Sequence, residues 1–455
     1  MPDPIDPEVA ARWERQTREY VAAINDYVAR GEATDWEDAG EEPDDPRTEA
    51  DAAAVLDEVR RVFASGDAAA VDGLAARLPR AHSPLLPWIE TGDRGLPAAL
   101  ILDDGRLLLQ LGHEYQDPVC VAVEGLTITP LDPAIRAIGR SPDRRWFARA
   151  TDEGIAISDG WDGEQTALLP YPTGLEGVVE FAPEALAIEC SAEKPFLVKE
   201  LIPLAGDRCV LISECGVFVL QLDGARRLIP TPEMIADEVE WRRKDDPDEP
   251  IGISVSMGHA GVSPDGRLIA AGCQDSLHHL FDAATLEEIG TVGPMTSYPH
   301  HAAFDAAGTM AFVNSCHFYN GITLGVPLDL LPGLKTEEYE KDDRLTTIDE
   351  QARVYASAAR IRPDGRGEWI FGDANGYVRG VDNEGEILWS HFIGSSVGAI
   401  EVSADGSRLV VTTYAGFVSL IDLDTGEPGP HVIGRSGHTE RRRWVMWKND
   451  TPFAW

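Results

Sequence analysis

The chain has 455 residues, with 78 Asp or Glu against 39 Lys or Arg, for a formal charge of −39. A surface of that sign is repelled by nucleic acid phosphates and anionic membranes, and it favours and speeds encounter with a basic protein. Hydrophobic residues make up 43%, enough for a sizeable core and against global disorder, and no apolar run approaches the length needed to cross a bilayer.

The opening Met1-Pro2-Asp3-Pro4-Ile5-Asp6 lacks the basic end and apolar run of a secretory signal. The six cysteines (Cys120, Cys190, Cys209, Cys215, Cys273, Cys316) show no C-x-x-C spacing, so they read as buried or free thiols rather than a disulfide framework. A cytoplasmic location is the expectation.

Residues 7–30 read as an amphipathic helix. Val9, Trp13, Tyr20, Ile24, Tyr27 and Val28 recur at three- and four-residue steps, and Gly31 offers a stop. From about 32 to 48 the chain carries Glu32, Asp35, Glu37, Asp38, Glu41, Glu42, Asp44 and Asp45 against Arg47, broken by Pro43 and Pro46: a solvated, mobile linker. Trp36 is the residue within it suited to anchoring a partner. A second helix is expected from Glu49 to Ala64. Asp67 can cap a third that carries Val71, Leu74 and Leu78. This divides the chain into a helical region at 1–80, a connecting segment at 81–97 and a β-rich domain at 98–455.

From residue 98 a phrase keeps returning. Its clearest copies are Val262-Ser263-Pro264-Asp265-Gly266-Arg267-Leu268, Ile361-Arg362-Pro363-Asp364-Gly365 and Val402-Ser403-Ala404-Asp405-Gly406-Ser407-Arg408-Leu409; weaker ones start at Leu102, Ser141, Gly206 and Phe304. In each, a strand ends, a Pro/Asp/Gly turn follows and a second strand begins. Third strands follow at Val217–Asp223, Tyr377–Asp382 and Phe417–Asp422. The period is about 40 residues, with inserts near 238–250 and 335–351, and several strands per period is the mark of a propeller blade. We count seven units. Arg443-Trp444-Val445-Met446-Trp447-Lys448 reads as a last strand that completes a blade begun elsewhere.

The phrase resembles the bacterial WD-repeat and related quinoprotein-like propellers over roughly 98–434. At the strand ends where that family carries Trp-Asp, this chain has Phe281-Asp282, Val381-Asp382 and Ile421-Asp422. The expected fold is therefore mainly β: a seven-bladed β-propeller preceded by a small α-helical region.

The loops after each second strand should line one rim. They offer His113, Tyr115, Phe318, Tyr319 and Tyr414 as partner-binding candidates, because aromatic loop residues on a rigid scaffold suit recognition. Arg441, Arg442 and Arg443 form the one strong basic run and could grip a partner, or lay their stems over the aromatic strand. Six of eleven histidines fall between 259 and 317. The repeat alignment puts His259 and His301 at equivalent places on neighbouring blades, with Cys273, Cys316 and His317 near the following turns. His and thiolate suit zinc or iron, but the paired motifs of such sites are missing. No nucleophile elbow, P-loop or dinucleotide fingerprint is present.

The reading is a non-catalytic protein-binding scaffold, with no cofactor, whose partner is another protein with a basic surface; one sharper form is an acidic immunity-type neutraliser. Its rivals are a metalloprotein or enzyme using the His/Cys face, and a small-ligand sensor with its ligand in the central channel.

Overall fold

A computed structural model describes residues 4–34, 36–189, 195–426 and 428–455. Asp35 and Cys190 lie outside the described residues; the other five cysteines are free and buried.

The N-terminal helix, α1 (Pro7–Ala33), starts where the Asp6 carboxylate accepts the Glu8 N–H at 2.8 Å and proline occupies the first turn. Trp13 and Ile24 are buried together with Ala10, Thr17 and Val21, while Val9, Tyr20, Tyr27 and Val28 flank that stripe half-buried. The helix runs past Gly31, and the Trp36 ring folds back over that glycine. The acidic linker is pinned rather than loose at its far end. Arg47 pairs with Asp45 at 2.6 Å and lies over the rings of Trp13 and Tyr20. Thr48 caps α2 (Glu49–Phe63) and Asp67 caps α3 (Ala68–Asp72), which leads to α4 (Leu74–Arg77); the connecting segment holds α5 (Leu86–Gly92).

Among the described residues the ring strands form seven antiparallel sheets, at 98–130, 137–169, 198–229, 259–292, 298–349, 354–392 and 397–454. Each meanders outward, and the first strand of every sheet lines a central channel of about 660 Å³. This is a seven-bladed propeller. The recurring phrase forms the turn between first and second strands. At 263–268 the Ser263 hydroxyl accepts the Leu268 N–H (2.9 Å) and donates to Asp265 (2.7 Å), while Gly266 takes φ 69°. Ser403 and Asp405 repeat the arrangement.

The stretch at 335–351 is only partly an insert. Leu334–Lys335 adds a parallel fifth strand to the fourth blade, and Thr346–Asp349 is the outer strand of the fifth. The other insert holds α6 (Pro232–Asp245). The C-terminal strand is Thr439–Val445. It completes the blade whose three inner strands precede it, and Phe453–Ala454 pairs on its edge. The ring closes by side-by-side contact of the seventh and first blades: Thr412 Oγ1 donates to the Leu96 carbonyl (2.6 Å), and the Ile101 N–H donates to Glu401 (2.5 Å).

The helices seal the side of that junction. Trp13, Val55, Val59, Leu74 and Leu85 share one core with Trp444, Met446, Trp447, Phe453 and Trp455. Trp13 Nε1 donates to the Pro79 carbonyl and Trp455 Nε1 to the Leu78 carbonyl, at 2.8 and 2.7 Å.

Candidate functional site: the channel mouth

In an antiparallel meander the Pro/Asp/Gly turns fall on one face of the ring. The second-to-third-strand loops and the blade connections fall on the other, here called the mouth face. Its contacts cross blade boundaries. Tyr115, in the first blade's loop, donates to Glu214 in the third blade's (3.3 Å). Arg353, entering the sixth blade, donates to the Phe318 carbonyl of the fifth (3.0 Å).

At the centre stands a cationic and aromatic group. The inner strand Val198–Ala205 carries Lys199 and Glu200. The Lys199 ammonium donates to the Gly258 carbonyl at 2.7 Å. Burial lowers its pKa against the opposing pull of Glu200 and Glu114, and burial pushes the Glu200 carboxyl up to about 7 against the opposing pull of Lys199. His300 stands edge-on to Tyr355 at 5.2 Å, and neither of its ring nitrogens finds a protein partner. Burial, reinforced by Arg353 and Lys199, holds it neutral, well below the usual histidine range. Arg353 lies 4.9 Å over the Tyr355 ring, which meets Tyr414 edge to face at 5.9 Å. Burial pushes the Tyr414 hydroxyl up to about 12.

Around this centre the rim is aromatic and acidic. Tyr115, Phe318 and Tyr319 are 65, 72 and 64% exposed, and Tyr414 37%. His113 Nδ1 accepts the Tyr115 N–H at 3.2 Å, which orients that loop. Glu114 lies near enough to act on both Lys199 and Tyr414. Such a mouth can hold a polar or charged side chain between rings and cations, with aromatic edges around it.

The structure brings His113, Tyr115, Phe318, Tyr319 and Tyr414 to this one face. Trp36 sits elsewhere, in the turn after α1, edge-on to Tyr27 at 5.7 Å. The arginine run is on the outer strand of the seventh blade, away from the rim. Arg442 is buried on Asp72 and the Gly125 carbonyl, and Arg443 on Glu440, so their charges are already met within the chain. Arg441 keeps a 47% exposed side chain.

The candidate histidines each hold contacts of their own. His259 bonds the Met257 carbonyl (2.9 Å) and His278 (3.2 Å); His301 bonds Ser357 (2.8 Å); His317 bonds Ser297 (2.9 Å) and stacks on Tyr298. Burial raises the Cys273 and Cys316 thiols, which disfavours the ligating thiolate. Among the described residues no group of three or more His, Cys, Asp or Glu is placed to hold a metal ion.

Lys199, Glu200, His300, Arg353 and Tyr355 were not singled out from the sequence. One signal was available: Lys199 is a charged residue on an inner strand and Arg353 immediately precedes one.

No protein-family model matches the chain, and no curated protein matches it. Among solved structures it is similar to the β-propeller domain of Cps50 (Swd1) from Myceliophteria thermophila, at 12% identity and a TM-score of 0.43, over 70% of this chain and 93% of that one. No helix among the described residues is long and apolar enough to cross a membrane.

Proposed function

We propose that the chain is a non-catalytic interaction protein whose mouth face docks another protein with a basic surface. The observation that carries this reading is the exposure of Tyr115, Phe318 and Tyr319, three large aromatics held on loops of one face of a rigid ring. The net charge of −39 supports a basic partner, through faster encounter and complementary contact around the rim. Neutralisation of a basic protein, in the manner of an immunity protein, is the finer form of the reading and has the charge alone behind it.

The test is capture from the native host with the wild-type chain and with a Tyr115→Ser, Phe318→Ser, Tyr319→Ser variant. The expected result is one basic protein, released at high salt and lost from the triple variant. Capture that ignores both salt and the triple variant, or turnover of a small molecule by the isolated chain, overturns the reading.

A further inference from the structure

The mouth face extends outward beyond its central loops. The fourth blade's fourth strand, Glu288–Val292, leads into a connection at 293–297 that crosses to the fifth blade. The extra strand Leu334–Lys335 runs parallel to it and so emerges on the same face. From there the chain is tied to the connection. The Gly293 N–H donates to Thr336 Oγ1, and the Tyr339 N–H donates to the Pro294 carbonyl, both at 2.9 Å. The approach is close: a Cβ on Gly293 would stand 2.3 Å from the Glu337 carbonyl oxygen.

The connection in turn holds the fifth blade's loop. The Met295 and Thr296 N–H groups each donate to Ser315 Oγ at 3.0 Å, and Ser297 Oγ bonds His317 Nδ1 at 2.9 Å. A continuous strip therefore runs from Tyr339 to Phe318 and Tyr319. Tyr339 is 59% exposed. It and Phe318 hold φ at 61° and 53°, a left-handed backbone that bulky side chains rarely adopt.

The strip is also acidic. Asp342 is matched by Arg344 at 2.6 Å. Glu337, Glu338, Glu340 and Asp343 are exposed and form no ion pair among the described residues; the unpaired cations beside them are Lys335 and Lys341. The centre of the mouth differs, since Lys199 and Arg353 stand there and repel an incoming cation. The exposed tryptophans in other acidic stretches are already engaged: Trp36 meets Tyr27 edge-on, and Arg242 lies 5.9 Å over Trp241.

Open aromatic faces among unpaired carboxylates suit a guanidinium, which stacks on a ring while its edge bonds carboxylate oxygens. We infer that the strip from Tyr339 to Tyr319 takes an arginine-bearing segment of the partner, with guanidinium groups over the rings and against Glu337, Glu338 and Glu340. The inference rests on docking of a basic partner at the mouth face, and it names the sector and the side chain that docking uses.

The full-length chain is titrated by fluorescence anisotropy, at physiological salt, with a labelled peptide of alternating arginine and glycine. The control peptide carries neutral citrulline in place of arginine. The arginine peptide is expected to bind and the citrulline peptide is not. Tyr339→Asn removes the ring, alters no charge and suits the left-handed backbone; it is expected to weaken binding about fivefold or more. Combined Glu337→Gln, Glu338→Gln and Glu340→Gln should do the same, whereas equal charge removal in the linker, by Glu41→Gln, Glu42→Gln and Asp44→Asn, should change affinity less than about twofold. Equal binding of the two peptides overturns the inference. So does arginine-peptide binding that ignores Tyr339→Asn, or that falls equally with the linker variant. If that binding is nevertheless lost from the Tyr115→Ser, Phe318→Ser, Tyr319→Ser variant, the strip is refuted and docking at the mouth still stands.

Discussion

Buried charge in this chain is held by arginine, and its worth depends on pH. Glu58, whose side chain is 2% exposed, accepts from Arg61 (2.7 Å), Arg77 (2.9 Å) and the Ile5 N–H (3.3 Å). Arg61, with Arg77 and Ile5, outweighs the burial that opposes them and holds the carboxyl at about 2. A folded pKa below the unfolded one stabilises above the unfolded value, here about 4.5, and that gain is lost as pH falls towards 2. Glu58→Gln should therefore cost about 2–3 kcal/mol at pH 7. In urea titrations across pH, wild type and variant should converge near pH 2; parallel curves would contradict the assignment.

The buried imidazoles act at a higher pH. Burial brings His278 to about 3 and His301, His391 and His438 to about 4. The unfolded chain takes up protons near 6.5 that these rings refuse, so stability is full above 6.5 and falls between 6.5 and 4. Glu200, with its raised pKa, pulls the other way below 7. The melting temperature should begin to drop by pH 6, before ordinary carboxylates titrate. His278→Phe should shallow that slope; an unchanged slope would remove His278 as a cause.

At the scale of elements, the blades are spaced by their inner strands. Gly398 shows the constraint at the ring's closure. A Cβ there would collide with the Leu96 carbonyl and come to 3.0 Å from Thr412 Oγ1, the hydroxyl that donates to that same carbonyl. Backbone cannot retreat as a flexible side chain can, so Gly398→Ala should cost about 3 kcal/mol or more. Gly252→Ala, where nothing lies within 4 Å, serves as the control and should stay near wild type. Equal urea midpoints for the two variants would show that the seam tolerates opening. The turn elements were legible in advance because their chemistry is local: Ser263, Asp265 and Gly266 satisfy one another within six residues. The fifth blade's outer strand was not, because Thr346–Asp349 reaches its partner only after a detour that lends Leu334–Lys335 to the neighbouring blade.

For the whole molecule, the helices and the ring should unfold together. Their shared core runs from Trp13 and Leu56 to Trp447 and Trp455, across more than four hundred residues of sequence. Trp455 is 1% exposed, its carbonyl accepts from Arg80 at 2.6 Å, and its indole donates to Leu78. Trp455→Ala should cost about 3–5 kcal/mol and shift one cooperative transition, with helix and tertiary signals moving in step. A separate early loss of helix would show that the two parts fold apart.

Period and turn chemistry determined the seven units and the rim on which Tyr115, Phe318 and Tyr414 stand. Each is a property of neighbouring residues or of a repeat, and so is written along the chain. Only the tertiary structure decided that Lys199, His300 and Arg353 share one mouth and that Arg442 and Arg443 are committed inside the chain. Closing a ring brings together side chains from blades far apart in sequence, and no local pattern records which of them will meet.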